Sequence, residues 1–174
     1  DEYFDMVRSG IITYGMYPSE DVDKSLLKIK SAMEWLSNVS FVKELEEGRE
    51  ISYGGTYKTK EKRIIATIPV GYADGYPRCL SNIGKVIING QYANILGRVC
   101  MDQFMVDVSN IENVSAGTEV TLVGKDGNSE ITMEELSDLS GRFNYEFACN
   151  LGKRIPRVYY KDNKIVSTKD YFME

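Results

Sequence analysis

Between two apolar runs, KVII and QYANIL, the chain places Asn89-Gly90. That pair tolerates the positive φ angles of a two-residue type I′ turn, so residues 85–96 read as a β-hairpin. The same punctuation recurs. Asp162-Asn163 divides RVYYKDNKIVS (157–167) into a second hairpin, and Gly48, Gly84, Gly117 and Asp126-Gly127 bound further short runs. Those runs are VSFVKELE (39–46), RIIATIPV (63–70), FMVDVS (104–109) and EVTLVG (119–124). The first alternates, which turns Val39 and Phe41 inward with Leu45 a further candidate. Short, closely spaced β runs, each closed by a turn residue, constrain the chain to a mostly β fold: an antiparallel, barrel-like domain. One helix interrupts them. Thr132-Met133-Glu134-Glu135 is a capping box, Leu136 and Leu139 follow, and Gly141 closes it. The class therefore has one or two short helices.

At the amino end, DMVRSGIITY (5–14) reads as one buried strand interrupted by Gly10. Residues 15–30 carry the turn signal Tyr17-Pro18-Ser19 and then charge, and read as a linker. Residues 31–174 are the β-domain. The sequence opens directly into apolar residues without an initiator methionine, as expected of a piece of a longer protein.

Composition removes several functions. A net charge of −5 disfavours a sequence-blind nucleic-acid binder, which needs a basic face. No apolar run reaches the ~20 residues of a membrane span. Cys79, Cys100 and Cys149 are an odd, widely spaced set, which fits reduced thiols in a cytoplasmic protein. The chain has no histidine, so Ser-His and Cys-His devices and His-ligated metals are excluded within it. Any acid or base here is Tyr, Lys, Asp or Glu.

Five places carry candidate chemistry. Tyr53, in SYGGTY, is a phenol on a glycine-flanked turn; a phenol of pKa ~10 is a poor base unless a cation or donor favours its anion, and only Lys58 and Lys60 stand nearby in sequence. In GYADGYPR (71–78), Gly71 and Gly75 bracket Asp74, with Tyr72 and Tyr76 expected as exposed aromatics and Arg78 as an attractor of anions. In GRVCMDQFMVDV (97–108), Cys100 and Met101 suit core filling and Asp102 a turn cap, while the Met101 amide is also placed to meet a carboxylate. Arg8-Ser9-Gly10-Ile11 offers backbone N–H groups to a phosphate and a permanent cation to an acceptor. Tyr145, in NYE, is either an aromatic plug or a phosphate donor. Taken singly, each is also what an ordinary tight turn looks like.

Their order is more telling. DMVRSGIITYG, ISYGGTY, IPVGYADGYPR, GRVCMDQFMVDV, NYE and RIPRVY, in this sequence and spacing, resemble the C-terminal part of the alanine racemases. The resemblance covers nearly the whole chain and implies a pyridoxal 5'-phosphate enzyme with an N-terminal (β/α)8 barrel and a C-terminal β-domain. It implies that residues 1–14 are the last barrel strand, and that the Schiff-base lysine and the family's active-site histidine lie on the barrel, outside this chain. It assigns Tyr53 as one of two catalytic bases, and Arg8, Gly10, Ile11 and Tyr145 to the cofactor. Met101 and Tyr72 go to the substrate, and Arg78, Arg98 and Asp102 to the entrance corridor. It further implies a cytoplasmic homodimer with shared active sites, D-alanine supply for peptidoglycan, and inactivity of this piece alone. Ser9 and Asn94 depart from the family, which often has proline at both. Two alternatives stay open: a serine racemase of the vancomycin-resistance type, and a non-catalytic β-barrel binding or dimerisation module.

Overall fold

The computed structural model describes residues 5–19 and 21–173. The expected strand over 5–14 does not form. Residues 5–9 are irregular and Gly10–Tyr14 make a 3-10 turn that begins at φ 60 and ends at Gly15 with φ 76. A strand needs a neighbour for its N–H and C=O groups, and no described residue pairs with this segment. Residues 15–19 and 21–34 follow without regular structure but are tied back: Ala32 N donates to Tyr14 O (3.0 Å) and Tyr17 Oη to Leu27 O (2.8 Å).

Ten strands then build the body: β1 (Trp35–Asn38), β2 (Phe41–Leu45), β3 (Glu50–Ile51), β4 (Tyr57–Lys58), β5 (Arg63–Ile68), β6 (Lys85–Ile88), β7 (Gln91–Leu96), β8 (Phe104–Asp107), β9 (Glu119–Asp126) and β10 (Ser129–Ile131). The main sheet is antiparallel and runs β1-β9-β6-β7-β8-β5-β2, with β10 on β9; β3 and β4 pair separately. β1 and β2 lie at opposite ends of this order, yet only Val39 and Ser40 separate them. A link of three Cα steps reaches at most about 11 Å. The sheet therefore curls until its ends are neighbours, which is the barrel-like form.

The turns behave as their residues dictate. Ile88 pairs with Gln91 across Asn89 (φ 50) and Gly90 (φ 74), a type I′ turn. Phe41, expected inward, is exposed, and Val42 packs on the core instead. Val39 is held by residues 117 and 118 before β2 begins, so it does not share one alternation with Phe41 and Val42, whose faces are set by pairing with β5. The core joins Val86, Ile87 and Ile88 of β6 to Phe104, Val106, Val120 and Leu122.

Two helices cover the sheet, α1 (Met133–Ser140) and α2 (Asn144–Cys149). Only half of the capping box forms: Thr132 Oγ1 accepts from Glu135 N at 3.1 Å, while the Glu135 carboxylate turns away to Lys85 Nζ (2.9 Å). α2 is helical where the sequence suggested only a plug. β11 (Arg157–Lys161) and β12 (Lys164–Lys169) form the final hairpin, turning at Asp162 (φ 51) and Asn163 (φ 59) as expected.

Candidate functional site

Three loops converge on one face of the sheet and enclose a groove of about 640 Å³. Tyr53, Tyr72, Arg78, Arg98, Met101 and Asp102 all line it, together with Val99, Cys100 and Gln103.

The first loop follows β3. Ile51 is buried, Ser52 turns the chain, and Tyr53 opens a 3-10 turn with Gly54 (φ 70) and Gly55 (φ 54). The Tyr53 ring is 75% exposed on the protein surface, so its packing is not what retains it. The cation at this turn is neither Lys58 nor Lys60. Lys58 lies over Gly48, whereas the Arg98 guanidinium sits 3.1 Å from where a Cβ on Gly54 would be.

The second loop, Gly71–Tyr76, is held by backbone bonds to the third. Tyr72 N donates to Cys100 O and Ala73 N to Met101 O, both at 3.0 Å. The approach is so close that any Cβ on Gly71 would collide with both carbonyls. Gly71 N in turn donates to Asp74 Oδ2 at 2.9 Å. Tyr72 is left half-exposed over the groove. Tyr76 is not the exposed aromatic expected: it is fully buried, stacked on Phe104 (5.0 Å) and edge-on to Trp35 (5.8 Å). Burial pushes this phenol well above its ordinary value, and its hydroxyl has no partner among the described residues.

The third loop joins β7 to β8. Cys100 N donates to Gln103 O (2.9 Å), which folds residues 100–103 into a tight bend and pushes Met101 outward. The Met101 carbonyl is used by Ala73, but its N–H meets no acceptor among the described residues. Asp102 does not cap a turn. Its Oδ1 pairs with Arg154 at 2.7 Å, and Arg154 Nε reaches Asp74 Oδ1 at 3.3 Å. The bond to Asp102, reinforced by Asp74, holds the Arg154 guanidinium above its ordinary value. Arg154 thus ties two walls of the groove together. Nothing singled it out in the sequence beyond its place in RIPRVY.

Arg78 and Arg98 have no carboxylate partner among the described residues. With Asp102 neutralised by Arg154, they leave the groove cationic within an acidic protein, which suits a small anion.

Arg8, Gly10, Ile11 and Tyr145 do not line the groove. Ile11 is buried in the core, and Tyr145 packs on that core from α2 with its ring stacked on Phe143 (4.5 Å). Asn144 Nδ2 donates to Tyr17 O at 3.4 Å, which brings α2 to the amino-terminal segment. Arg8 is exposed without an ion-pair partner among the described residues, and a Cβ on Gly10 would meet open space.

The profile of the family described as alanine racemase, C-terminal domain, matches residues 32–159. The chain belongs to the alanine racemase family. It is 52% identical over 171 residues to the alanine racemase of Clostridium perfringens (strain SM101 / Type A), a match that covers 98% of this chain and 44% of the relative. Against the Clostridium acetobutylicum alanine racemase 1 the identity is 44%, again over 98% of the chain. Among solved structures, the Clostridium difficile 630 alanine racemase in complex with cycloserine superposes with a TM-score of 0.87 at 41% identity, over 94% of this chain and 43% of that one. The Bacillus anthracis alanine racemase with bound L-Ala-P gives 0.87 at 37% identity, over 93% and 42%. The chain spans less than half the length of these relatives, and its mostly β architecture is shared by the matched part of the solved ones. No described helix is long and apolar enough to cross a membrane.

Proposed function

We propose that this chain contributes one face of the active site of a pyridoxal 5'-phosphate-dependent alanine racemase, the other face being supplied by a barrel outside it. The observation that carries this reading is the groove. It gathers a phenol (Tyr53), an unpartnered amide (Met101) and two unpaired guanidinium groups (Arg78, Arg98) around a space suited to a small carboxylate.

The residues present fit the cofactor. The start of a 3-10 turn leaves the Gly10 and Ile11 N–H groups without intrahelical acceptors, and Gly10 leaves room for a phosphate to approach them. Arg8 is free to donate to a ring nitrogen, and the Tyr145 hydroxyl to donate to the phosphate. When bound, the cofactor delocalises the charge left on the substrate Cα, which no side chain does.

This chain's own residues do the rest. Tyr53 takes or returns the proton at Cα on one face, and the family's lysine acts on the other. A base on each face lets the proton leave from one side and return on the other. The Met101 N–H donates to the substrate carboxylate and fixes which face Tyr53 sees. Tyr72, Arg78, Arg98 and Asp102 line the approach. Arg8, permanently charged, gives the ring nitrogen no proton, which favours rapid return of the proton to Cα over transamination. In the homodimer, Tyr53, Tyr72 and Met101 serve the partner's cofactor while Arg8 and Tyr145 serve their own. The reaction supplies D-alanine for peptidoglycan from the cytoplasm.

The test is chiral chromatography of the longer, cofactor-loaded protein given L-alanine and, separately, L-serine. Fast D-alanine with slow D-serine is the expected result. Faster D-serine would move the protein to the serine-racemase branch, and turnover of neither would leave a non-catalytic module.

A further inference from the structure

Among the described residues, six other than glycine adopt positive φ: Ser52, Asn82, Asn89, Asn113, Asp162 and Asn163. Five are Asn or Asp, the residue types that enter the left-handed region with least strain. Ser52 is the exception, and its ψ is also different. At φ 65 and ψ −179 it occupies a region that is essentially glycine-only. Such a conformation persists only where its surroundings over-determine it, and it stands immediately before Tyr53.

The surroundings are specific. Ser52 Oγ donates to Arg98 O at 2.7 Å and lies 3.2 Å from Cys100 Sγ. In the third loop, Gly97 (φ 78) passes so close that an added Cβ would lie 2.5 Å from Ile51 O and 2.9 Å from Ser52 Cβ. The Ser52 hydroxyl therefore joins the turn that carries Tyr53 to the loop that carries Arg98, Cys100 and Met101. The Gly54-Gly55 pair after Tyr53 imposes no direction of its own. The bond vectors at Ser52 decide where the phenol points. Glycine at position 52 would reach the same angles without strain but would not be held at them.

We propose that Ser52 is a positioning residue for Tyr53: its tethered, left-handed backbone aims the phenol into the groove. The proposal rests on the reading of Tyr53 as a proton-transfer group.

The experiment uses the longer protein loaded with pyridoxal 5'-phosphate, in the forms Ser52→Ala, Ser52→Gly and Tyr53→Phe. Misplacing a reacting group by about 1 Å costs on the order of 100-fold, so Ser52→Ala should lower kcat by about that factor with KM within about twofold. The two enantiomers have equal free energy, so kcat/KM must fall equally in both directions. The isotope effect need not. With α-deuterated substrates, the effect should rise for the one enantiomer whose proton Tyr53 removes and fall for the other, because proton return by Tyr53 then limits that direction. Should Ser52→Ala fail to fold, Ser52→Gly adopts the backbone without strain and carries the same measurement. Loss of activity in Tyr53→Phe, with kcat and both isotope effects unchanged in the Ser52 variants, would overturn the positioning role and leave the Tyr53 reading intact. So would a loss with isotope effects altered equally for both enantiomers and a lowered Tm, since that is structural damage. Near-normal activity in Tyr53→Phe would remove the reading on which the proposal stands.

Discussion

The groove loops and the amino-terminal segment both carry residues of candidate chemistry, but only in the first does this chain hold the backbone in place. Around Tyr72 and Met101, each backbone is held by its neighbour: Tyr72 and Ala73 bond to Cys100 and Met101, and Arg154 links Asp74 to Asp102. Around Arg8, by contrast, the backbone meets no ladder, and Gly10 faces open space. A site built where strands of one sheet approach each other carries its own geometry. A segment that joins no ladder does not carry its own geometry.

The sharpest way to break the comparison is catalytic. In the longer protein, Tyr53→Phe should lower racemisation by about 1,000-fold, within the range of general acid–base groups, while Tyr57→Phe should leave it nearly unchanged. Tyr57 packs beside Ile51, Ile65 and Leu96, away from the groove. Equal losses would mean that position in the groove does not distinguish the two phenols.

Glycine substitutions probe the packing of the two regions directly. Gly71→Ala drives a methyl into the Met101 and Cys100 carbonyls and should cost about 3 kcal/mol in urea unfolding. Gly10→Ala meets no atom and should cost only about 1 kcal/mol, the penalty of a left-handed φ of 60. If the two costs are equal, the groove is no tighter than the amino-terminal segment.

Tyr76 anchors the inner end of the Tyr72 loop, and its buried hydroxyl has no partner among the described residues. Tyr76→Phe should stabilise the fold by about 1 kcal/mol, because an unpaired buried hydroxyl is lost. The pH dependence has a defined sign. Its folded pKa lies above the ordinary 10.0, so the folded state keeps a proton that the unfolded chain loses. Stability from this group is intact below pH 10.0 and falls as pH rises above it, and the phenylalanine variant should flatten that fall in alkaline urea titrations.

The smallest effect concerns Arg154. It is about half-exposed, and exposed ion pairs contribute little to global stability. Arg154→Gln should nevertheless speed amide exchange at Tyr72 and Ala73, whose N–H groups bond across to the third loop, and leave the β6–β7 hairpin unchanged.

The turns were legible because they are local. Asn89-Gly90 and Asp162-Asn163 specify φ angles regardless of what surrounds them, and both hairpins form where those pairs stand. The Thr132 cap and the Gly141 stop of α1 were legible for the same reason. Phe41 and Tyr76 were not. Each sits in a run whose side chains alternate or flank glycines, and only the register against β5 or the depth of the Phe104 stack decides which face is inside. The strand expected over 5–14 failed because apolar composition supplies a face but not a partner.

By itself the sequence determined the residue types of the site, the turns that bound each strand, and the order of motifs that marks the family. The tertiary structure decided what meets what. It placed Arg98 rather than a lysine at the Tyr53 turn, recruited Arg154 to join Asp74 and Asp102, and forced Ser52 into a backbone conformation that no local preference favours. Turn chemistry acts over two or three residues and can be read from them. Contacts between residues 52 and 98, or 74 and 154, exist only once the sheet has curled and brought its loops to one face.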